Sequence, residues 1–333
     1  MDSISEIKKF EGKKVLVRVD WNVPILPIGE EGKETDAILD ASRIEVTLPT
    51  IEYIKNNDGV PVIASHFGRE GDSLDPVIRF AKEKFPILAE GVEFLENLRK
   101  NPGEESNSEE FAKELASRVE IYVNEAFSVS HRKHASIVGV PKLLPSYAGF
   151  RFLEEFEKLS ACFNPEHPFL FVLGGAKFET KLPLIEKFLK IADEIFIGGA
   201  LAAKAEEMLD NSPTSQKLRG TDKITFPVGD ITALDANTET LEVLNEKIKS
   251  ARFILWNGPL GNYEKGFVAG TVALSRMLAE SPAKVILGGG DTLAVLNEEI
   301  KKQIISHGFI STAGGAMLNF LANGTLPGIE ALQ

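Results

Sequence analysis

The residues able to do chemistry fall into two sets along this chain. Eight of its eleven arginines lie in the first half: Arg18, Arg43, Arg69, Arg79, Arg99, Arg118, Arg132 and Arg151. A guanidinium is a rigid fork of donors that fits phosphate and carboxylate oxygens. Taken singly, an arginine is most often a solvated surface charge. Four of these (Arg43, Arg69, Arg99 and Arg132) stand in turns or just past apolar runs, in a chain of net charge −12. Together they point to a small polyanion. Asp20, Asn22, His66, Asn97, Asn124 and His131 occupy similar places. His66 and His131 lack partnering cysteines or a helical His-x-x-x-His spacing, so bonding to an anion or to the turn is preferred over metal ligation.

The second half puts glycines at the equivalent positions: Gly174-Gly175, Gly198-Gly199, Asn257-Gly258-Pro259, Gly289-Gly290-Asp291 and Gly314-Gly315. Glycine lets the backbone approach a ligand, and the following helix offers free N–H groups to phosphate. One such pair alone is also what a tight strand-to-helix turn requires. Neither G-x-G-x-x-G nor a Walker A sequence occurs. The sharpest signal is the stretch from Gly174 to Lys181, where Lys177 and Lys181 are expected on one face of a helix start. Like charges four apart repel, and both oppose the helix dipole, by a few tenths of a kcal/mol each. A bound anion would reverse the sign; the competing reading is a solvated lysine face. Asp291 either caps the helix that follows or helps hold magnesium and nucleotide. No dense carboxylate cluster supports an all-protein metal cage, so magnesium is expected to arrive on the nucleotide phosphates.

Short apolar runs must position these residues. They begin at Val15, Val60, Val92, Glu120, Pro168, Glu194, Lys223, Arg252, Lys284 and Gly308. Continuous β-branched and aromatic runs suit strands buried on both faces of a parallel sheet. Helical patterns between them, such as those from Ser108 and Thr238, make an α/β fold: two doubly wound parallel-sheet domains joined by a connecting helix. In such sheets ligands bind beyond the carboxyl ends of the strands. The expected domains are 1–149, a connecting helix and hinge at 150–167, 168–316, and a C-terminal segment 317–333.

The 333 residues, 43% hydrophobic and 26% charged, are ample for about two cores. The acidic balance argues against non-specific nucleic-acid or membrane binding. Cys162 is the single cysteine, so no intrachain disulfide forms. The polar N-terminus lacks the core of a signal peptide, and no apolar run would span a bilayer, so a cytoplasmic location is expected.

The stretches RVDWNVP, DASRIEVTLPTI, SHFGR, ENLRKNPGEE, VNEAFSVSHRKHAS, LGGAKFETKL, IGGALA, LWNGPLGNYE and GGGDT cover nearly the whole chain. In kind and order they resemble the phosphoglycerate kinase family. The resemblance implies reversible phosphoryl transfer from 1,3-bisphosphoglycerate to ADP, giving 3-phosphoglycerate and ATP, with Mg2+, hinge closure and a monomeric state. It implies that Asp20, Asn22, His66, Arg69, Arg99 and Arg132 grip phosphoglycerate, and that Arg43 and Lys181 meet the transferring group from opposite sides. Gly174, Gly175, Lys177, Gly198 and Gly199 would line the nucleotide site, with Asn257, Pro259 and Glu264 shaping its nucleoside part. Gly289, Gly290, Asp291 and Thr292 would hold the phosphate side and magnesium. Gly314 and Gly315 would start a helix aimed at the transferred group, and the C-terminal segment would pack back on the first domain.

Some positions depart from the family pattern: Glu125, Ser128, Val129, Ala313, Asp235 to Thr240, and Asn262-Tyr263. A strand–helix unit is expected to be missing between Arg69 and Val92, and a helix between Ala203 and Lys223. The alternatives are a kinase of another acyl phosphate, separated by substrate profiling, and a nucleotide-binding relative without activity, against which Arg43 and Lys181 argue.

Overall fold

The computed structural model describes residues 1–25, 38–211 and 222–333. Two compact units divide them: Met1–Phe156 with Thr325–Gln333, and Glu157–Gly324. Helix Phe150–Ser160 runs through that boundary. The segment that rejoins the first unit begins at Thr325, later than the expected 317. Helix Gly315–Asn323 ends at Gly324, whose left-handed φ of 82° turns the chain out of it.

In the first unit, strands β1 (Lys14–Arg18), β2 (Val60–Ala64), β3 (Glu93–Phe94), β4 (Ile121–Asn124) and β5 (Ser146–Ala148) form one sheet in the order β3-β2-β1-β4-β5. All its pairings are parallel. Val15, Val17, Ile63 and Val123 are buried with Trp21, Ile44 and Ile51 from the flanking segments. Each such apolar side chain contributes about 1.5–3 kcal/mol of burial. Strand β5 escapes the sequence pattern because Ser-Tyr-Ala offers no apolar run. Between Arg69 and Val92 a single regular helix, Asp75–Lys84, with one short turn at Pro86–Leu88, carries the chain from β2 to β3.

The second unit holds β6 (Phe169–Leu173), β7 (Glu194–Ile197), β8 (Ile224–Thr225), β9 (Phe253–Asn257), β10 (Lys284–Gly288) and β11 (Phe309–Ser311). Their order is β11-β10-β9-β6-β7-β8, again with parallel pairing throughout. Val172, Ile254, Trp256, Val285 and Leu287 form its core with helices Thr238–Ser250 and Ala269–Glu280. The helix expected to be missing between Ala203 and Lys223 concerns, in part, residues 212–221, which lie outside the described residues; helix Leu201–Asn211 precedes them.

In both sheets the strand order reverses about a central pair, β1 with β4 and β6 with β9. Loops from neighbouring strands depart to opposite faces there and leave a crevice at the carboxyl ends.

Candidate active site

At the first crevice Asp20 follows β1 and is buried. Its Oδ2 accepts from Arg43 at 2.5 Å and from the Ser128 hydroxyl at 2.5 Å. Burial alone would raise this carboxyl, but the Arg43 charge and the hydroxyl bond hold it below the usual range. Arg43 comes from the short helix Ser42–Glu45. Asn22 Oδ1 accepts from Gly68 N–H at 3.0 Å, and Asn97 brackets the same turn, accepting from Phe67 N–H and donating to the Phe67 and Asp72 carbonyls. The turn between His66 and Asp72 is therefore fixed by two amides from separate loops.

His66 is buried after β2, and burial, with Arg18 beside it, pushes its pKa down to about 3. Its ring is neutral at physiological pH. Arg18 approaches its Nδ1 at 3.3 Å. A guanidinium only donates, so Nδ1 accepts and the proton sits on Nε2, which faces Asp20 Oδ1 at 3.7 Å. Arg99 and Arg132 are close enough to depress the same ring. Arg99 donates to the Gly68 carbonyl, and Glu105 stands 2.9 Å from its Nε without hydrogen-bond alignment. Arg69 is exposed and lines a hollow with Arg99. The side chains of Arg69 and Arg132 have no ion-pair partner among the described residues. Thus Asp20, Asn22, Arg43, His66, Arg99 and Arg132 converge on the ends of β1, β2 and β4.

Arg18, one of the eight arginines of the first half, has no role expected from the sequence. It is fully buried, donates to Ser136 Oγ at 2.7 Å, and stands 3.8 Å from buried Glu104. Glu104 in turn accepts from Ser136 N–H and Oγ. The available signal was an arginine inside an apolar strand run, where a charge needs a partner.

In the second unit a cavity of about 950 Å3 opens at the strand ends. The β6 and β9 turns are stitched together: Gly174 N–H donates to Asn257 O at 2.9 Å and Gly175 N–H to Pro259 O at 2.8 Å. A Cβ at Gly174 would stand 2.3 Å from the Pro259 carbonyl, so only glycine fits. Asn257 is buried and donates to Gly288 O at 3.0 Å. Gly175, Lys177, Lys181, Gly199, Pro259 and Glu264 all line the cavity, as do Gly289 to Thr292 and both Gly314 and Gly315. Gly174 lies behind the wall. Gly198 borders a smaller hollow beside Phe196 and Leu260.

Lys177 and Lys181 do not share a helix face. Lys177 is the exposed N-cap of helix Phe178–Phe188, with ψ 84°, while Lys181 lies inside the helix and is buried. The turn leaving Gly175, at φ 88°, puts Lys177 outside the helical geometry. Lys181 Nζ donates to the Gly174 carbonyl, and burial pushes its pKa down to about 8 despite the opposing charge of Asp291. Asp291 does not cap the next helix either. Gly289 is the N-cap of helix Gly290–Leu293, and Asp291 Oδ1 instead accepts from Tyr263 at 3.0 Å.

Several features of this cavity fit a phosphate-bound magnesium ion. Thr292 Oγ1 is buried without a hydrogen-bond partner among the described residues, and Asp291 is exposed beside it. A Cβ at Gly290, Gly314 or Gly315 would meet nothing within 4 Å among the described residues, so these backbone segments border open space. Among the described residues no group of three or more His, Cys, Asp or Glu side chains converges on a metal position.

One doubly wound unit thus carries a cluster of arginines at its strand ends and the other a glycine-walled cavity. The family model described as phosphoglycerate kinase matches residues 4–86, 77–206 and 203–324. The phosphoglycerate kinase of Leptospira biflexa is 33% identical over 396 aligned positions, covering 98% of this chain and 97% of the relative. That of Rubrobacter xylanophilus is 35% identical, covering 97% and 96%. The solved phosphoglycerate kinase of Coxiella burnetii superposes with a TM-score of 0.85 at 31% identity, covering 99% of this chain and 98% of that one. The Pyrococcus horikoshii OT3 structure gives 0.80 at 27% identity, covering 100% and 98%. The chain belongs to the phosphoglycerate kinase family. An aligned span of 396 positions on a chain of 333 residues means that it lacks segments its relative carries.

Proposed function

We infer that Arg43 and Lys181 meet the transferring phosphoryl group from opposite sides as it passes between 1,3-bisphosphoglycerate and ADP. The observation carrying this reading is Lys181: a buried ammonium bonded to one backbone carbonyl, on the wall of the cavity that the helix start at Gly314 also lines. In either direction the attacking oxygen is already anionic, belonging to an ADP phosphate or a carboxylate. No general base is needed. Catalysis is then positioning and charge neutralisation around a loose, metaphosphate-like transition state.

His66, Asp20 and Asn22 orient the acid, with Arg69, Arg99 and Arg132 on its phosphate. Asp20 also preorients Arg43, and the substrate competes with that carboxylate for the guanidinium. Glycine turns cradle the nucleotide phosphates, and Glu264 bonds the ribose hydroxyls. Asp291 and Thr292 would hold a magnesium ion, which supplies further neutralisation of phosphate charge when bound. Among the described residues no helix is long and apolar enough to cross a membrane.

A coupled assay with 3-phosphoglycerate and MgATP tests the reading. Wild type should turn over, and Arg43→Ala should lose about 10²-fold or more in kcat. Undetectable wild-type turnover would refute it. The grip and the cavity belong to different units, and we further propose that the units close about the connecting helix for transfer. Scattering is expected to show compaction with both ligands bound, and no change would sink closure.

A further inference from the structure

The N–H groups opening the connecting helix Phe150–Ser160 are held from outside it. Phe150 N–H donates to Thr50 Oγ1 at 2.9 Å, Arg151 N–H to Glu125 Oε1 at 3.1 Å and Phe152 N–H to Glu125 Oε2 at 3.2 Å. The Thr50 hydroxyl itself donates to Glu125 Oε1 at 2.6 Å. Thr50 and Glu125 are both buried. A Cβ on Gly149 would fall 2.0 Å from Glu125 Oε2, so glycine is what admits this carboxylate to the helix start.

The two anchors are not neutral scaffolding. Thr50 lies on helix Leu48–Asn56, directly after the Arg43 segment. Glu125 follows β4, bonds through its own N–H to the Arg18 carbonyl at 2.9 Å, and precedes Ser128, whose hydroxyl holds Asp20. One carboxylate thus joins both gripping segments to the helix that leads into the second unit.

We propose that Glu125 is a positioning residue that registers the phosphoglycerate grip on the first turn of the connecting helix. The proposal rests on the reading of the grip given above. Ionised, Glu125 accepts from three donors and complements the positive end of the helix dipole. Protonated, one oxygen carries a hydrogen and the set of acceptors no longer matches the donors. Burial pushes its pKa up to about 7, against the Thr50 hydroxyl, the two N–H groups and the Arg151 guanidinium that face it. Register should therefore loosen as pH falls through neutrality.

The variants Glu125→Gln, Thr50→Val and Thr50→Ser test this in the full chain. Calorimetry should show 3-phosphoglycerate binding weakened about fivefold in E125Q, the worth of about one buried hydrogen bond. Binding of ADP, in the other unit, should be unchanged. Amide exchange across 149–153 should speed up, and the wild-type fall in 3-phosphoglycerate affinity below pH 7 should be absent. T50V should share part of the loss and T50S restore it, which keeps the test open if E125Q does not fold. Unchanged phosphoglycerate affinity and an unchanged pH limb in a folded E125Q would overturn the proposal, as would equal weakening of both ligands. Wild type that binds no phosphoglycerate would defeat the reading of function itself, a result distinct from equal binding by wild type and variant.

Discussion

The candidate site of the first unit is built from charged side chains, several of them already partnered, and that of the second from glycine backbone. Arg43 rests on Asp20, Arg18 lies between Ser136 and Glu104, and Arg99 holds the Gly68 carbonyl. Around the second cavity the walls are glycines with left-handed or otherwise positive φ, at Gly175, Gly199, Gly258, Gly289 and Gly314. The contrast has a chemical consequence. On the proposed reading, a ligand entering the first site competes with carboxylates and carbonyls, and charge and protonation govern affinity there. In the second, on the same reading, it meets glycine backbone with room around it, and shape governs affinity.

Lys181 is the exception in the second unit and gives the sharpest break. Lys181→Met should lower kcat by about 10²–10³-fold. Stability should be unchanged or higher, because an apolar chain replaces a buried ammonium. Steady-state kinetics and thermal melts read the two separately, and a loss below tenfold would make the lysine a structural residue. Gly315→Ala tests shape. The new Cβ meets nothing in the protein, and alanine in a helix should add about 0.5–1 kcal/mol of stability. Nucleotide affinity should nevertheless fall about tenfold, the mark of backbone shaped to a ligand. Equal affinity in wild type and variant would remove that distinction between the units.

The smallest effect concerns protonation in the first unit. The folded chain holds His66 at about 3, against 6.5 for the free side chain. Between those values the unfolded chain binds a proton that the native state refuses. Stability from this residue is therefore lost as pH falls from 6.5 towards 3. Melting temperatures across that range should drop less in His66→Gln than in wild type, and parallel curves would contradict the account.

The sequence exposed the second site more fully than the first because its signals are local. Gly174 to Lys181 or Gly289 to Thr292 are consecutive residues after an apolar run, and position alone marks them. Even so, the environments of Lys177 and Lys181 could not be told apart until the turn at Gly175 was known. In the first unit the partners are distant. Ser128 reaches Asp20 from 108 positions away, and Glu125 meets Thr50 from 75. Glu104 is one of several acids in its stretch, and nothing nearby distinguishes it. Such pairings arise when strands of separate sequence become neighbours in a sheet, and hydrophobic periodicity carries no record of which polar residues then meet.

The edges of the two sheets have a consequence of their own. Strands β3 and β8 are two residues each, and β5 and β11 three. An edge strand is a template on which a second chain can add itself, and its danger grows with the length of its unpaired backbone. Among the described residues, edges this brief offer few free donors and acceptors to a second strand. The long strands β1, β6 and β9 lie in the interior, paired on both sides. Shortness at the margins thus limits strand addition there while the longer strands at the centre of each sheet stay paired on both sides.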